Sequence, residues 1–134
     1  MAVIEAEELP IRSSEDIVVI RRVVREWSIA SGFSLVEQTK LVTAASELAR
    51  NALQHGGGGM ALIERLNDDE RRGVRIAFRD QGPGIPDIEQ ALRDGFTTGG
   101  GLGLGLGGAR RLVGDFNLQT EPGQGTTVTI ARWK

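Results

Sequence analysis

Residues 73–85 read GVRIAFRDQGPGI, and the alternation in this stretch decides the fold. Val74, Ile76 and Phe78 are apolar, with Arg75 and Arg79 between and after them. A period of two marks a half-buried strand, so a strand is predicted over 73–80 with its even positions inward. Asp80 continues that inward face at the strand's end. A carboxylate aimed at a core needs a partner, because burying it unpaired is costly. The exocyclic amine of an adenine would be one such partner. Gly82 and Gly84 would let backbone pass close to the base, and Ile85 would offer an apolar contact. The plainer account is a strand that ends in a polar turn, where Asp, Gly and Pro are routine. Taken alone, the stretch favours that account.

Upstream, residues 60–66 (MALIERL) read as a partner strand, joined to 73–80 through the charged turn 67–72. A helix precedes it. Ser34 caps its start with Glu37 three residues on, a capping-box spacing, and Leu41, Ala45, Leu48 and Ala52 form its buried stripe. It ends at His55, where the glycines 56–59 follow. Within SELARNALQH (46–55), Glu47 and Asn51 share one face, beside that stripe. An Asn amide oxygen suits Mg²⁺, which takes oxygen ligands and keeps several waters. A carboxylate one turn away could orient or deprotonate a nucleophile. The plainer reading, which the pair taken alone favours, is two polar groups on a solvated face. Further back, Ser13 and Asp16 have capping-box spacing before a helix over 14–30, whose Ile17, Ile20, Val24 and Trp27 recur at helical intervals. Gly32 ends it, and residues 3–11 read as a strand.

Downstream, 87–93 is predicted as a short helix, and Gly99–Gly108 holds seven glycines in ten residues. Such a run is costly in conformational entropy and poor for a helix. Backbone N–H groups at a helix N-terminus would repay it by cradling a triphosphate, with the interspersed leucines as anchors. Flexible linkers are polar and rarely alternate Gly with Leu. Leu102, Leu106, Ala109 and Val113 place a helix start within 102–105. Gly103, Gly105 and Gly108 formally match a dinucleotide fingerprint, but no strand precedes them directly and the βαβ setting is missing. The GxxxxGK[ST] phosphate loop is absent. Residues 115–120 and 126–132 read as closing strands around the turn 121–125 (EPGQG). If Thr126, Val128 and Ile130 face inward, the Thr126 hydroxyl points to the same pocket floor as Asp80.

The chain's 134 residues suit a single domain, 1–134, long enough to bury a real core. A net charge of −2 gives no electrostatic case for nucleic acid, which calls for a clustered basic face. No apolar run approaches the roughly 18 residues of a membrane span. The acidic start, with Glu5, Glu7 and Glu8 and no Lys or Arg, is unlike a secretory signal. Without cysteine there is no disulfide and no thiolate metal site, and the cytoplasm is the expected location. His55 is the single histidine and is read as a structural helix-end residue.

The order of these motifs matters more than any one of them. Glu-x-x-x-Asn on a helix, Asp-x-Gly-x-Gly after a strand, a Gly/Leu run before a helix, and Gly-x-Gly-Thr before the last strand resemble the Bergerat-fold (GHKL) ATPases. That family includes gyrase, Hsp90, histidine kinases and MutL. The resemblance spans about residues 13–132. It implies an α/β two-layer sandwich, a mixed and largely antiparallel sheet with helices on one face. Within the family, SELARN, DQGPGIPDI, DGFTTGGGLGLGL and GQGT resemble the anti-sigma and switch-kinase branch, closest to RsbT-type serine/threonine kinases.

Carried over position by position, the resemblance makes Glu47 the general base and Asn51 the Mg²⁺ ligand. Asp80 takes the adenine amine of ATP, with Thr126 assisting through water. Gly82, Gly84 and Ile85 shape the base pocket. Thr97, Thr98, Gly99, Gly101, Leu102, Gly103, Leu104 and Gly105 form a lid around the phosphates. It implies a protein substrate, a serine or threonine on a STAS-domain antagonist, and a second partner such as a PP2C-type phosphatase. Two departures stand out. Ala52-Leu53-Gln54-His55 replaces an aromatic-rich segment, and the glycine run 56–59 is richer. Both are read as bearing on partner choice, away from the ATP ligands. The competing readings are an anti-sigma factor that binds a sigma subunit directly and a non-catalytic ATP-gated binding module.

Overall fold

A computed structural model describes residues 1–82, 106–121 and 123–134. Its elements in chain order are β1 (Ala2–Ile11), α1 (Ser14–Ala30), α2 (Leu35–Gln54), β2 (Gly59–Asn67), β3 (Arg72–Asp80), α3 (Leu106–Leu112), β4 (Asp115–Glu121) and β5 (Gly125–Trp133). The strands form one sheet in the order β1-β2-β3-β5-β4, and every pairing among the described residues is antiparallel. The expected helix over 87–93 lies outside the described residues.

The alternation that predicted β3 is realised. Val74, Ile76 and Phe78 are buried while Arg79 is exposed. The register extends this inward face across the sheet: Ala61 and Ile63 on β2 sit opposite Phe78 and Ile76, and Val128 and Ile130 on β5 flank them from the other side. The helices close over this face. Leu41, Ala45 and Leu48 of α2 and Ile20 and Val24 of α1 join the strand residues in one core. Each such Val, Leu, Ile or Phe side chain contributes about 1.5–3 kcal/mol by leaving water. Two of the three buried serines, Ser28 and Ser46, find partners within their own helices, donating to the carbonyls of Val24 and Val42 one turn back, at 2.7 and 2.8 Å. The opposite sheet face is lined by ion pairs such as Arg75–Glu64 at 2.9 Å, and by Trp133, whose ring lies 4.5 Å beneath the Arg71 guanidinium.

The two helix starts differ. At α2 the capping box is complete: Ser34 Oγ accepts the Glu37 N–H at 3.1 Å, and Glu37 Oε1 accepts the Ser34 N–H at 2.9 Å. At α1 it does not form. Ser13 is the N-cap with extended backbone, but its side chain makes no cap hydrogen bond. Asp16 instead accepts the N–H of Arg12 at 2.8 Å, one residue earlier than a capping box requires. Sequence spacing is the same in both helices; the approach of the preceding chain, a strand in one case and a tight turn in the other, decides which N–H the carboxylate meets.

The α2 box is titratable. Hydrogen bonding to Ser34, chiefly its backbone N–H, holds the Glu37 carboxyl below the ordinary value of 4.5, with Lys134 adding to the effect. A depressed folded-state value means the stabilisation is present above 4.5 and is lost as pH falls through the lowered value. Ser34→Ala should cost about 0.5–2 kcal/mol. In thermal melts, the advantage of wild type over Glu37→Gln should be full near neutrality and vanish in acid. An advantage that persists or grows on acidification would contradict this account.

Candidate functional site

The register gathers one end of every strand into a single row: Ile11, Gly59, Asp80, Thr126 and Thr120 lie side by side across the sheet. The C-terminus of α2 is delivered to the same end, because only residues 55–58 separate it from the start of β2. The helix stops through its own backbone. The Ala52 carbonyl accepts the N–H groups of Gly56 at 3.1 Å and Gly58 at 2.8 Å, and Gly57 and Gly58 take φ of 74 and 104° to make the reversal. His55 is the exposed C-cap residue, in keeping with a structural part.

Asp80 is half-buried at the end of β3, on the core side as its parity required. Its Oδ1 accepts the Gly82 N–H at 2.9 Å, which turns the chain sharply and leaves Oδ2 for another donor. Directly across the strand pair is Thr126, buried to 8% exposure. The Thr126 hydroxyl lies 3.0 Å from that of Thr120, and Thr120 donates to the Gly125 carbonyl at 3.2 Å. Whichever hydroxyl donates between them, the Thr126 oxygen has two lone pairs with which to accept from an incoming donor. Asp80 and Thr126 are therefore two acceptors side by side, suited to an amine and to a water that donates to both. Together with Gln81, Thr120 and Gly125 they line an open groove of about 400 Å³ over the strand ends.

On α2, Glu47 and Asn51 are both half-buried and lie one turn apart on one face. The Glu47 side chain is 15% exposed, and its Oε1 is held at 2.6 Å by Nη1 of Arg50. This contact fixes the side chain's orientation and leaves Oε2 without a hydrogen bond among the described residues. Asn51 lies three residues before the last residue of α2, about 4.5 Å along the helix at 1.5 Å per residue. Among the described residues no group of three or more His, Cys, Asp or Glu side chains could enclose a metal. The Asn51 amide oxygen is a donor of the kind Mg²⁺ takes, since that ion is commonly held by one or two protein oxygens plus phosphate and water.

Sequence reasoning had assigned Glu47, Asn51, Asp80, Gly82 and Thr126. The structure unites Asp80, Gly82 and Thr126 in one cluster, with Glu47 and Asn51 on the helix that leads into it. Gly84, Ile85, Thr97, Thr98, Gly99, Gly101, Leu102, Gly103, Leu104 and Gly105 lie outside the described residues, as does the proposed helix start at 102–105. Two contributors were missed. Thr120 could have been found by counting back from Thr126 through the hairpin turn. Arg50 carried no signal, since a basic residue three positions after Glu47 reads as an ordinary surface pair.

A five-stranded antiparallel sheet under two long helices, with a half-buried carboxylate and a hydroxyl at its strand ends and a Glu–Asn helix turn leading into the same end, has the architecture of a Bergerat-type ATPase fold. The chain belongs to the histidine kinase-, DNA gyrase B- and HSP90-like ATPases, whose family model matches residues 36–134. Among its relatives, the serine/threonine-protein kinase RsbT of Bacillus subtilis (strain 168) is 44% identical over 118 residues, 88% of this chain and 89% of that one. An anti-sigma F factor of Bacillus licheniformis is 33% identical over 103 residues, 72% of this chain and 69% of the relative. Two solved structures share the fold. One contains RsbU and RsbW domains from Mycobacterium tuberculosis, with a TM-score of 0.65 and 21% identity over 96% of this chain and 32% of that one. The other is the mycobacterial sensor histidine kinase MprB, with a TM-score of 0.56 and 19% identity over 96% of this chain and 97% of that one. No helix among the described residues is long and apolar enough to cross a membrane.

Proposed function

We propose that this chain is an ATP-dependent serine/threonine protein kinase, a single catalytic domain that modifies a STAS-domain antagonist and then engages a second partner such as a PP2C-type phosphatase. The observation that carries the reading is Glu47: a half-buried carboxylate, held by Arg50, on the helix that leads into the nucleotide end of the sheet. An ATP-gated binding module has no use for a base there; a phosphotransferase does.

In this reading Asp80 accepts the adenine amine, and Thr126 supports the base through water. Asn51 lends its amide oxygen to Mg²⁺, which when bound neutralises phosphate charge. Glu47 accepts the proton of the substrate hydroxyl as that oxygen bonds to the γ-phosphorus. The bond from the γ-phosphorus to its bridging oxygen breaks, and ADP leaves. Positioning and charge neutralisation carry most of such a transfer. The residue composition, without cysteine, suits action in the cytoplasm.

The test is transfer of labelled γ-phosphate from ATP·Mg²⁺ to a serine or threonine of a STAS protein encoded nearby. Stable nucleotide binding with no transfer to any such protein would favour the binding-module reading. The likeness to anti-sigma F factors supports a second reading, direct capture of a sigma subunit. A pull-down against sigma factors and STAS proteins separates the two, since a stable sigma complex would overturn the switch-kinase reading.

A further inference from the structure

The glycine run 56–59 was set apart from the ATP ligands by sequence, yet the geometry brings Gly56 against one of them. A Cβ placed on Gly56 would lie 2.3 Å from Cγ, 2.5 Å from Cβ and 2.7 Å from Oδ2 of Asp80. Real Cβ atoms essentially never approach heavy atoms that closely. Rotating the carboxylate away would not relieve the clash, because the Asp80 Cβ is itself too near and moves only with the strand. Gly56 is thus a glycine for want of room. Its φ is not positive, unlike Gly57 and Gly58, so an alanine there meets a neighbour rather than a strained backbone.

The contact is part of a seam. A Cβ on Gly82 would lie 2.6 Å from the Gly56 α-carbon, and one on Gly125 would lie 2.2 Å from the Asp80 carbonyl oxygen. Two bare α-carbons therefore close on Asp80, Gly56 on its side chain and Gly125 on its backbone carbonyl, while Gly82, in the turn after β3, packs against Gly56 itself. The Gly82 side fixes Oδ1 by a hydrogen bond. The Gly56 side limits Oδ2, the oxygen left for a ligand.

We infer that Gly56 is a positioning residue for base recognition: its bare α-carbon holds the Asp80 carboxylate where it can meet an exocyclic amine, and so sets discrimination among nucleobases. The inference rests on the reading of Asp80 as the adenine ligand. It also ties the segment that ends the Glu47 and Asn51 helix to the base site, through the packing of Gly56 on Asp80 and Gly82.

The test compares binding of ATP with that of purine riboside 5′-triphosphate, which lacks the exocyclic amine, in the full chain. Wild type should prefer ATP by about tenfold or more, the worth of a hydrogen bond to a charged group. In Gly56→Ala that preference should collapse toward one, with the loss falling on ATP while binding of the analogue changes by less than about twofold. Gly56→Ala should also add almost nothing to Asp80→Asn, since coupled neighbours are not additive. Equal weakening of both nucleotides would overturn the inference, because general loosening of the loop does not distinguish them. If Asp80→Asn leaves the wild-type preference intact, the underlying reading of Asp80 falls, and the inference with it. Should Gly56→Ala fail to fold, Gly56→Ala/Asp80→Gly removes every atom of Asp80 that the methyl strikes beyond the backbone. Recovery of the fold supports the contact as the cause, and persistent unfolding overturns it.

Discussion

Glu47→Gln should lower the rate of phosphate transfer roughly 10²–10⁴-fold, the range over which a positioned base contributes. Gln keeps the size of the side chain and can still accept from Arg50 Nη1, the contact now made at 2.6 Å. What it loses is the capacity to take a proton. The effect should fall on kcat, because an interaction that matters only as the hydroxyl proton departs is made in the transition state and not in the bound ground state. Nucleotide affinity, measured with a fluorescent ATP analogue, should stay within about twofold of wild type, since ground-state binding does not use proton transfer. Glu47→Ala should reduce transfer at least as much. Retention of wild-type transfer by Glu47→Gln would remove Glu47 from the chemistry and return the Glu47–Arg50 pair to the role of an ordinary ion pair within a helix.

Asp80→Asn should weaken ATP binding by about 10- to 150-fold, corresponding to the roughly 1.5–3 kcal/mol of a charge-assisted hydrogen bond. The substitution is nearly isosteric, and its Oδ1 can still accept from Gly82, so the turn after β3 is kept. The position that faces the base, however, is taken by an NH₂ that meets the adenine amine donor to donor. Here the loss should appear in Kd and in KM, with kcat at saturating ATP largely preserved, the signature of binding common to ground and transition states. Isothermal titration of both proteins with ATP reads the first quantity directly. Unchanged affinity would show that the half-buried carboxylate serves the β3 turn alone.

The contrast between these residues shows what sequence could carry. Asp80 and Thr126 were legible because strand parity is rigid: with a period of two, a few buried Val, Ile and Phe positions determine where the polar residue at the strand's end must point. Glu47 and Asn51 were legible as a pair because four residues on a helix return to one face. The α2 capping box was read correctly for the same local reason. The α1 box was not, because which N–H Asp16 meets depends on how β1 feeds into the helix. Gly56 was beyond reach for a deeper reason. Four consecutive glycines look alike in a sequence, yet Gly57 and Gly58 serve the backbone's handedness, Gly59 leaves room for the Arg79 carbonyl and Gly56 leaves room for a carboxylate. Only the packing of α2 on the strand ends tells them apart.

The row of residues across the strand ends has a consequence for how the protein is made. Asp80 and Thr126 face each other, but residues 81–124 lie between their strands in the chain. The proposed base site is thus a contact of high sequence separation, of the kind that carries a loop-closure cost and forms slowly. It does not exist until β5 has slotted between β3 and β4. A chain emerging during synthesis has its helices, and with them Glu47 and Asn51, long before it can recognise a nucleotide. ATP then acts as an inspector of the finished fold: it binds only chains whose last strand is in place, and at a hundred times its Kd adds about 2.7 kcal/mol to their stability.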